Sequence, residues 1–573
     1  ERIEEIVVRD RRARRVEPTS SLRLEAGALR AAPRRNAEEL LRQVPGLGVV
    51  QHGAEGKGHQ FLLRGFDAVH GADLELRVDG VPMNEWSNVH AQGYLDLGVL
   101  LPEAVRAIEV TKGPFTLERG PFAMAGGIDY ELGVPVDRLG WRAAYTAGTT
   151  NRHRLFASYA PARAEGRSFV GVSATHDAGF GERRGLDRVV ANAKAHLLDD
   201  GDGFEVFVTA LGGYAAFELP GTLRVEEIDS GAVSDLSAYD PLARGRSGRG
   251  ILAVTARAHG DGHRVMVRAH GGYRDLDLIE NFTGFLRNPV DGDRRWQRQR
   301  TWSGGVDARL DLELLPTLTL RAGAGLRVDE LDQREDDVGR SLERLSTRRD
   351  LEATQGLGHL MAGLRLRPTE QLALEAGARL DAAVVNTRRR TDGEVGDGEA
   401  WTASPRVGLR WRPGPTLSLV AAYGRGFRPP DARAYLGFEA DRTAFEDEVA
   451  VATSPGFTVS DAVELGAGWR PRPWLEGSLS LFGTLIERES VFDHVSGVSV
   501  DLGGTRRLGA ELLLSVRPRP WLRVALDGTA VDGRFVASGT AIPFAPALSG
   551  GARAELDHPS GLGGGLRVLV LGA

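Results

Sequence analysis

Thr317-Leu318-Thr319-Leu320-Arg321-Ala322-Gly323-Ala324-Gly325-Leu326-Arg327-Val328-Asp329 is the stretch on which the fold turns. Leu318, Leu320, Ala322, Ala324, Leu326 and Val328 share one face of an extended strand, and Thr317, Thr319, Arg321, Gly323, Gly325, Arg327 and Asp329 share the other. One face is apolar and one is wet, over a length that strands of soluble domains seldom reach. A strand crossing a bilayer in a tilted barrel needs about 9 to 11 residues, apolar toward lipid and polar toward the lumen. Residues 371–381 repeat the pattern, with Leu372, Leu374, Ala376, Ala378 and Leu380 opposing Gln371, Glu375, Arg379 and Asp381.

Tight proline turns punctuate these strands, at Leu315-Pro316-Thr317, Arg367-Pro368-Thr369, Arg412-Pro413-Gly414-Pro415 and twice as Arg-Pro-Arg-Pro-Trp, at 470–474 and 517–521. Successive turns lie roughly fifty residues apart, room for a strand out, a longer polar loop and a strand back. The longer loops are expected near 329–350, 382–400, 428–460, 486–504 and 532–545. Trp411, Trp474 and Trp521 beside the short turns read either as an inner aromatic girdle or as rings packed under the turns. Alternation from Gly140 to Gly572 gives about 19 strands. Bacterial single-chain barrels carry an even number, and open edges leave backbone groups unpaired in lipid, so about three further strands are expected beyond Ala573.

Composition agrees with a membrane all-β protein. The 573 residues are 42% hydrophobic, yet contain no run of about 18 apolar residues from which to build a spanning helix. A barrel is the remaining way to cross a bilayer. The 74 glycines follow no triplet period, which excludes collagen. The absence of cysteine removes thiolate zinc sites, cysteine-ligated iron–sulfur clusters and cysteine nucleophiles. With a net charge of −6 and arginines mixed among acids, no nucleic-acid footprint stands out. Glu1 begins without a charged or apolar leader, so any export signal is expected to have been removed. No H-E-x-x-H, G-x-S-x-G or phosphate-loop motif occurs, and neither enzymatic activity nor a cofactor is expected.

The first 130 or so residues instead alternate helical and strand patterns, an α/β domain. Asn36 is placed to cap a helix over Ala37–Leu41, with Glu39 completing a capping box and Pro45-Gly46 ending it. Strands are expected at Phe61–Arg64, Leu74–Val78 and Ile108–Thr111, and a short helix from Pro102. Arg64-Gly65-Phe66, Val78-Asp79-Gly80-Val81-Pro82, Ile108-Glu109-Val110-Thr111-Lys112-Gly113-Pro114 and Ala125-Gly126-Gly127-Ile128 then follow one another within about 65 residues. In that order they resemble the plug domain of TonB-dependent outer-membrane receptors. Gly426-Phe427-Arg428-Pro429-Pro430 and Gly509-Ala510-Glu511 are similar to barrel segments of the same family.

The resemblance implies a linker segment over 1–15, a plug over 16–135 and a transmembrane barrel over 136–573, 22-stranded in the family. It implies energy-coupled uptake of a scarce ligand, first an iron chelate, across the outer membrane of a Gram-negative bacterium by a monomer. Haem, cobalamin, saccharide or peptide uptake, a receptor or adhesin that binds without import, and a diffusive porin are the alternatives. Glu4, Glu5, Ile6, Val7 and Val8 resemble a TonB box, a β-prone run that a periplasmic energy-coupling partner would grip by strand addition; a first plug strand or frayed terminus is the plainer reading. Between Pro82 and Tyr94, Asn84, Trp86, Asn88, His90, Gln92 and Tyr94 offer stacking faces and directed hydrogen bonds for a ligand, or equally for tying plug to wall. His52, His59, His70 and His90 lack a metal-ligand spacing and read as solvated loop residues. The acidic clusters at 329–330, 335–337 and 446–448 fall in expected external loops that could attract a cation, though solvated loop tips are the plainer reading, and Arg321, Arg327 and Arg379 read as lumen cations that pair with plug carboxylates, with ligand contact the lesser reading.

Overall fold

A computed structural model describes residues 21–31, 34–51, 55–286, 288–290, 293–436, 456–493 and 498–572. The N-terminal domain contains β1 (Leu22–Glu25), β2 (Leu47–Val50), β3 (Gln60–Leu63), β4 (Phe66–Ala68), β5 (Leu74–Val78), β6 (Val81–Pro82), β7 (Val105–Lys112) and β8 (Gly126–Leu132). They form two sheets, ordered β1-β7-β8-β5-β6 and β2-β3-β4. Every residue of β5 is buried, as befits a strand paired in parallel with β8 and covered on both faces. Leu74, Leu76, Val78, Ile108, Val110 and Ile128 build the core. The expected helix is a tighter 3-10 segment, Glu38–Gln43. Its cap is the foreseen pair shifted by one residue: Asn36 Oδ1 accepts the Glu39 N–H at 2.9 Å, and the Glu39 carboxylate accepts the Arg35 N–H at 2.7 Å.

From Gly140 to Gly572, the described residues form nineteen strands that follow in chain order around a barrel. The alternation read at 371–381 is the barrel's inside and outside. Arg379, Asp381, Ala383, Val385 and Thr387 are buried against the lumen contents, while Ala378, Leu380, Ala382, Val384 and Asn386 are exposed outward. All five proline turns are two-residue hairpin connections at one end, Leu315 to Leu318 and Thr369 to Leu372 among them. Trp411 and Trp474 stand exposed beside those turns, and Trp401 is exposed ten residues earlier on the strand of Trp411. Ten residues at about 3.3 Å, tilted about 40°, span about 25 Å, the height of an apolar band between two girdles.

Two expected loops are corrected. Residues 329–350 and 382–400 are mostly strand, because Leu318–Val338, Arg344–Thr369, Leu372–Arg389 and Val395–Gly414 continue beyond the membrane and leave only 339–343 and 390–394 as links. Out there water replaces lipid on the outer face, so hydropathy stops alternating while the pleat persists. No helix among the described residues is long and apolar enough to cross a membrane.

Candidate functional site: the plug against the barrel wall

Hairpin β3–β4 turns at Arg64-Gly65, both in the left-handed region (φ 50° and 76°), which brings the turn hard against the wall. A Cβ on Gly65 would lie 2.7 Å from Val531 Cγ1, so only glycine permits this approach. Arg64 thereby reaches two buried barrel carboxylates, Glu464 at 2.7 Å and Glu511 at 3.3 Å, with its guanidinium 4.4 Å from the Phe482 ring centre. Lys112, at the end of β7, contacts the other Glu511 oxygen and donates to the Pro45 carbonyl at 2.6 Å. Burial and the Arg64 guanidinium push the Lys112 ammonium below its usual range, against the opposing pull of Asp527 and Glu464. Arg507 closes the corner, donating to the Gly65 carbonyl at 2.9 Å and lying over Phe66.

Asp79, in the β5–β6 turn, accepts from the Leu132 N–H at 3.0 Å and pairs with barrel Lys194 at 2.9 Å. Arg274 of the wall reaches Glu85 at 3.1 Å and Asp96 at 2.9 Å. Burial would raise Asp96, but Arg274 holds it below its ordinary value. Arg321 pairs with plug Glu118, as the sequence suggested. Arg327 donates to the Asn84 carbonyl at 3.0 Å, while Arg379 binds Asp381 of its own strand.

The apex of the plug, Ser87–Gln92, meets the wall through neutral groups. Val89 N–H donates to Gln299 Oε1 at 2.6 Å, Gln299 Nε2 donates to the Ser87 carbonyl at 3.0 Å, and Gln297 Nε2 donates to the Val89 carbonyl at 3.2 Å. His90 Nδ1 lies 2.9 Å from Gln297 Oε1. The Ser87 hydroxyl donates to Gln355 and accepts the Ala432 N–H. The Gly426–Pro430 segment folds inward to meet them: Trp86 donates to the Pro430 carbonyl at 2.7 Å, Gln92 to that of Pro429 at 2.6 Å, and Phe122 N–H to that of Phe427 at 2.9 Å. Trp86 packs among Leu331, Leu351, Leu357 and Phe427.

All six residues singled out between Pro82 and Tyr94 are buried. Trp86, His90 and Gln92 tie plug to wall. Asn84 braces its own loop through the carbonyls of Gly71, Leu74 and Gly93, Asn88 bonds Glu85 and the His90 N–H, and the Tyr94 hydroxyl accepts the Gly58 N–H. The histidine reading is corrected, since His59, His70 and His90 are buried in the packed plug; His52 lies outside the described residues. The acidic clusters are corrected too. Asp329, Glu335 and Asp336 are buried on strand Leu318–Val338, Glu335 lying 3.3 Å from Arg295 and 3.6 Å from Arg349, because that strand continues where a loop was expected. Residues 446–448 and the box at 4–8 lie outside the described residues.

Over the apex, Arg295, Arg349 and Arg433 gather with Glu335 and Asp431, and Arg295 lies 5.5 Å from the Phe282 ring centre. Sequence reasoning missed these residues and the amides below them. The signal was present: Arg295, Gln297, Gln299 and Thr301 share one face of a period-2 strand.

A TonB-dependent receptor plug model matches residues 14–127, and a TonB-dependent receptor-like β-barrel model matches residues 137–573. The chain is similar in structure to the ferric citrate transporter FecA in its unliganded form, at 13% identity over 94% of this chain and 82% of that one, with a TM-score of 0.76. It is similar to the siderophore receptor PiuA from Acinetobacter baumannii at 14% identity over 97% and 87%, TM-score 0.75. It is also similar to the ferric yersiniabactin uptake receptor FyuA from Yersinia pestis at 15% identity over 94% and 83%, TM-score 0.73. No curated protein matches the sequence. At such identities the structural likeness speaks for the fold.

Proposed function

This chain belongs to the TonB-dependent receptors, an outer-membrane family of plugged barrels, and from that premise we propose that it imports an iron chelate by energy-coupled displacement of its plug. One observation carries the reading: a folded domain fills the lumen and is held there by buried ion pairs on several sides of the wall. A passage so obstructed needs a mechanical input to open. Glu4–Val8 is the handle for that input, a β-prone run that adds to the sheet edge of a periplasmic partner through main-chain hydrogen bonds. The similar folds are named for carrying or receiving ferric citrate, a siderophore and ferric yersiniabactin, which favours an iron chelate here. The chelate arrives over Arg295, Arg349 and Arg433, and its binding is transmitted through the amide contacts of Ser87–Gln92. The host is a Gram-negative bacterium, and the protein acts as a monomer.

The test uses cells in which this chain is the sole receptor. Radioiron offered as ferric chelates is accumulated by the wild type and not after deletion of residues 3–8, while surface binding persists in both. Uptake that survives the deletion removes the coupling role of the segment. Mass spectrometry of the natively purified protein identifies the retained ligand; haem, cobalamin, a saccharide or a peptide in its place overturns the chelate. Binding without accumulation in the wild type makes the protein a receptor or adhesin.

A further inference from the structure

At the short-turn end of the barrel lies a cluster that no plug contact uses. His196 and Asp199 belong to strand Leu186–Asp199 and Glu205 to strand Phe204–Glu218, joined through 200–203. Asn192 and Lys194 face the plug, bonding the Val99 and Leu132 carbonyls, and His196 continues that inward face. The ladder then shifts register between His196 and Leu198, and this bulge sets Asp199 directly opposite Glu205. Two carboxylates facing each other across a strand pair repel unless a cation joins them.

The imidazole supplies the second observation. It lies flat against Phe207, with ring centres 4.5 Å apart and planes 10° from parallel, which fixes where its nitrogens point. The side chain is only 7% exposed. Its Nε2 has no hydrogen-bond partner and is aimed at the carboxylates, 3.6 Å from Glu205 Oε1 and 4.0 Å from Asp199 Oδ2. One nitrogen and two carboxylate oxygens thus lie within 4.8 Å of one another. Around an ion with ligand bonds of about 2.1 Å, tetrahedral donors sit about 3.4 Å apart, so shifts of well under 1 Å would close this set on one centre.

We propose that His196, Asp199 and Glu205 form a binding site for a divalent transition-metal ion of the zinc type at the periplasmic rim of the barrel. An imidazole donor selects the borderline metals over magnesium or calcium, and the carboxylates supply the charge. Arg167 is the built-in competitor, 2.7 Å from Glu205 and 3.4 Å from Asp199. Its pairs are partly exposed and therefore weak, so a dication displaces it at small cost. The bound ion joins the two strands beside Lys194, which holds Asp79 of the plug. This site does not depend on what the barrel transports.

The test is metal binding by the full chain, purified in detergent without a histidine tag, stripped with chelator and titrated with Zn2+ by calorimetry and with Co2+ by visible absorption. One ion per chain is expected, with cobalt bands of a low-coordinate nitrogen–oxygen site. His196→Ala weakens binding by at least about tenfold and removes the bands, Glu205→Gln weakens it likewise, and Arg167→Gln tightens it. Equal affinity in wild type, His196→Ala and Glu205→Gln overturns the site, as does an Arg167→Gln variant that binds no tighter. Should His196→Ala not fold, the opposite shifts of Glu205→Gln and Arg167→Gln decide the matter.

Discussion

The Arg64 corner and the Ser87–Gln92 apex fasten the same plug to the same wall by opposite chemistry. At the corner, two cations and two carboxylates are taken out of water and face one another. At the apex the partners are amides, a hydroxyl and backbone carbonyls, none of them ionised. A neutral hydrogen bond contributes only about 0.5–1.5 kcal/mol net, since water or a polar ligand replaces either partner. Stripping one member from a buried ion cluster costs about 3–5 kcal/mol, because the ion left behind has neither partner nor water. The apex is therefore where contacts exchange cheaply, and the corner is the attachment that costs most to break. The motifs follow this division: Arg64-Gly65-Phe66, Lys112 and Gly509-Ala510-Glu511 all meet at the corner.

The strongest way to break the comparison is Glu511→Ala. Arg64 then keeps only Glu464 among its carboxylates, Lys112 keeps only the attraction of Asp527 and Glu464 without a direct carboxylate partner, and plug docking weakens by about 3–5 kcal/mol. In planar bilayers under rising urea, the variant conducts at concentrations where the wild type stays blocked. An unchanged urea threshold would mean that the corner does not hold the plug. Lys112→Met combined with Glu511→Gln removes charge from both sides and recovers part of the loss, a coupling that a double-mutant cycle measures.

A buried pair inside the plug sharpens the contrast because burial drives it toward neutrality. Glu38 accepts the Leu97 N–H and lies 3.8 Å from His59 Nδ1. Burial, with Asp96 nearby, raises the Glu38 carboxyl to about 7, and burial lowers the His59 imidazole to about 4. Glu38 folds in its protonated form, so its contribution is full below the unfolded value of 4.5 and is lost as pH rises through about 7. His59 folds neutral, so its contribution is full above 6.5 and is lost as pH falls through about 4. Between pH 4.5 and 6.5 the two slopes cancel. Glu38→Gln unmasks stability that rises with pH across this window, and His59→Gln unmasks stability that falls, each by about 2–3 kcal/mol at about 1.4 kcal/mol per pH unit. Chemical denaturation followed by plug fluorescence at several pH values reads this directly. Parallel pH profiles in the two variants would show that the pair is ionised.

Barrel and plug were legible in the sequence, as were the plug side of the apex, where Trp86, His90 and Gln92 tie plug to wall, and the turn that carries Arg64; the wall side of both attachments was not. Leu318–Val328 alternates because lipid and lumen impose opposite demands on neighbouring side chains, and Arg64-Gly65 and Asp79-Gly80 mark turns whose φ values favour glycine. Glu335 escaped because, at the outer ends of the strands, water meets the outer face while the inner face is lined by buried charged and polar groups, so both faces are polar and a strand there looks like a polar loop. His59, His70 and His90 escaped for another reason: nothing local distinguishes a loop on the surface from one enclosed by a barrel built hundreds of residues later. Glu464, the second carboxylate of the corner, has only its inward parity to mark it.

The smallest expected effects test whether apex and corner open separately. Gln299→Ala leaves the Val89 N–H buried without its acceptor, and Ser87→Ala removes the link between Gln355 and Ala432. Each costs about 1 kcal/mol at the apex, with Gln299→Ala the larger because an unsatisfied donor remains. A loss of that size speeds local opening by about fivefold. Hydrogen exchange followed by mass spectrometry then shows faster exchange over 85–93 and unchanged exchange over 61–68. If both segments accelerate together, plug and wall separate as one cooperative unit, and the division between a loosely held apex and a firmly held corner fails. If only the apex responds, it opens on its own while the ion cluster still holds the plug in the lumen.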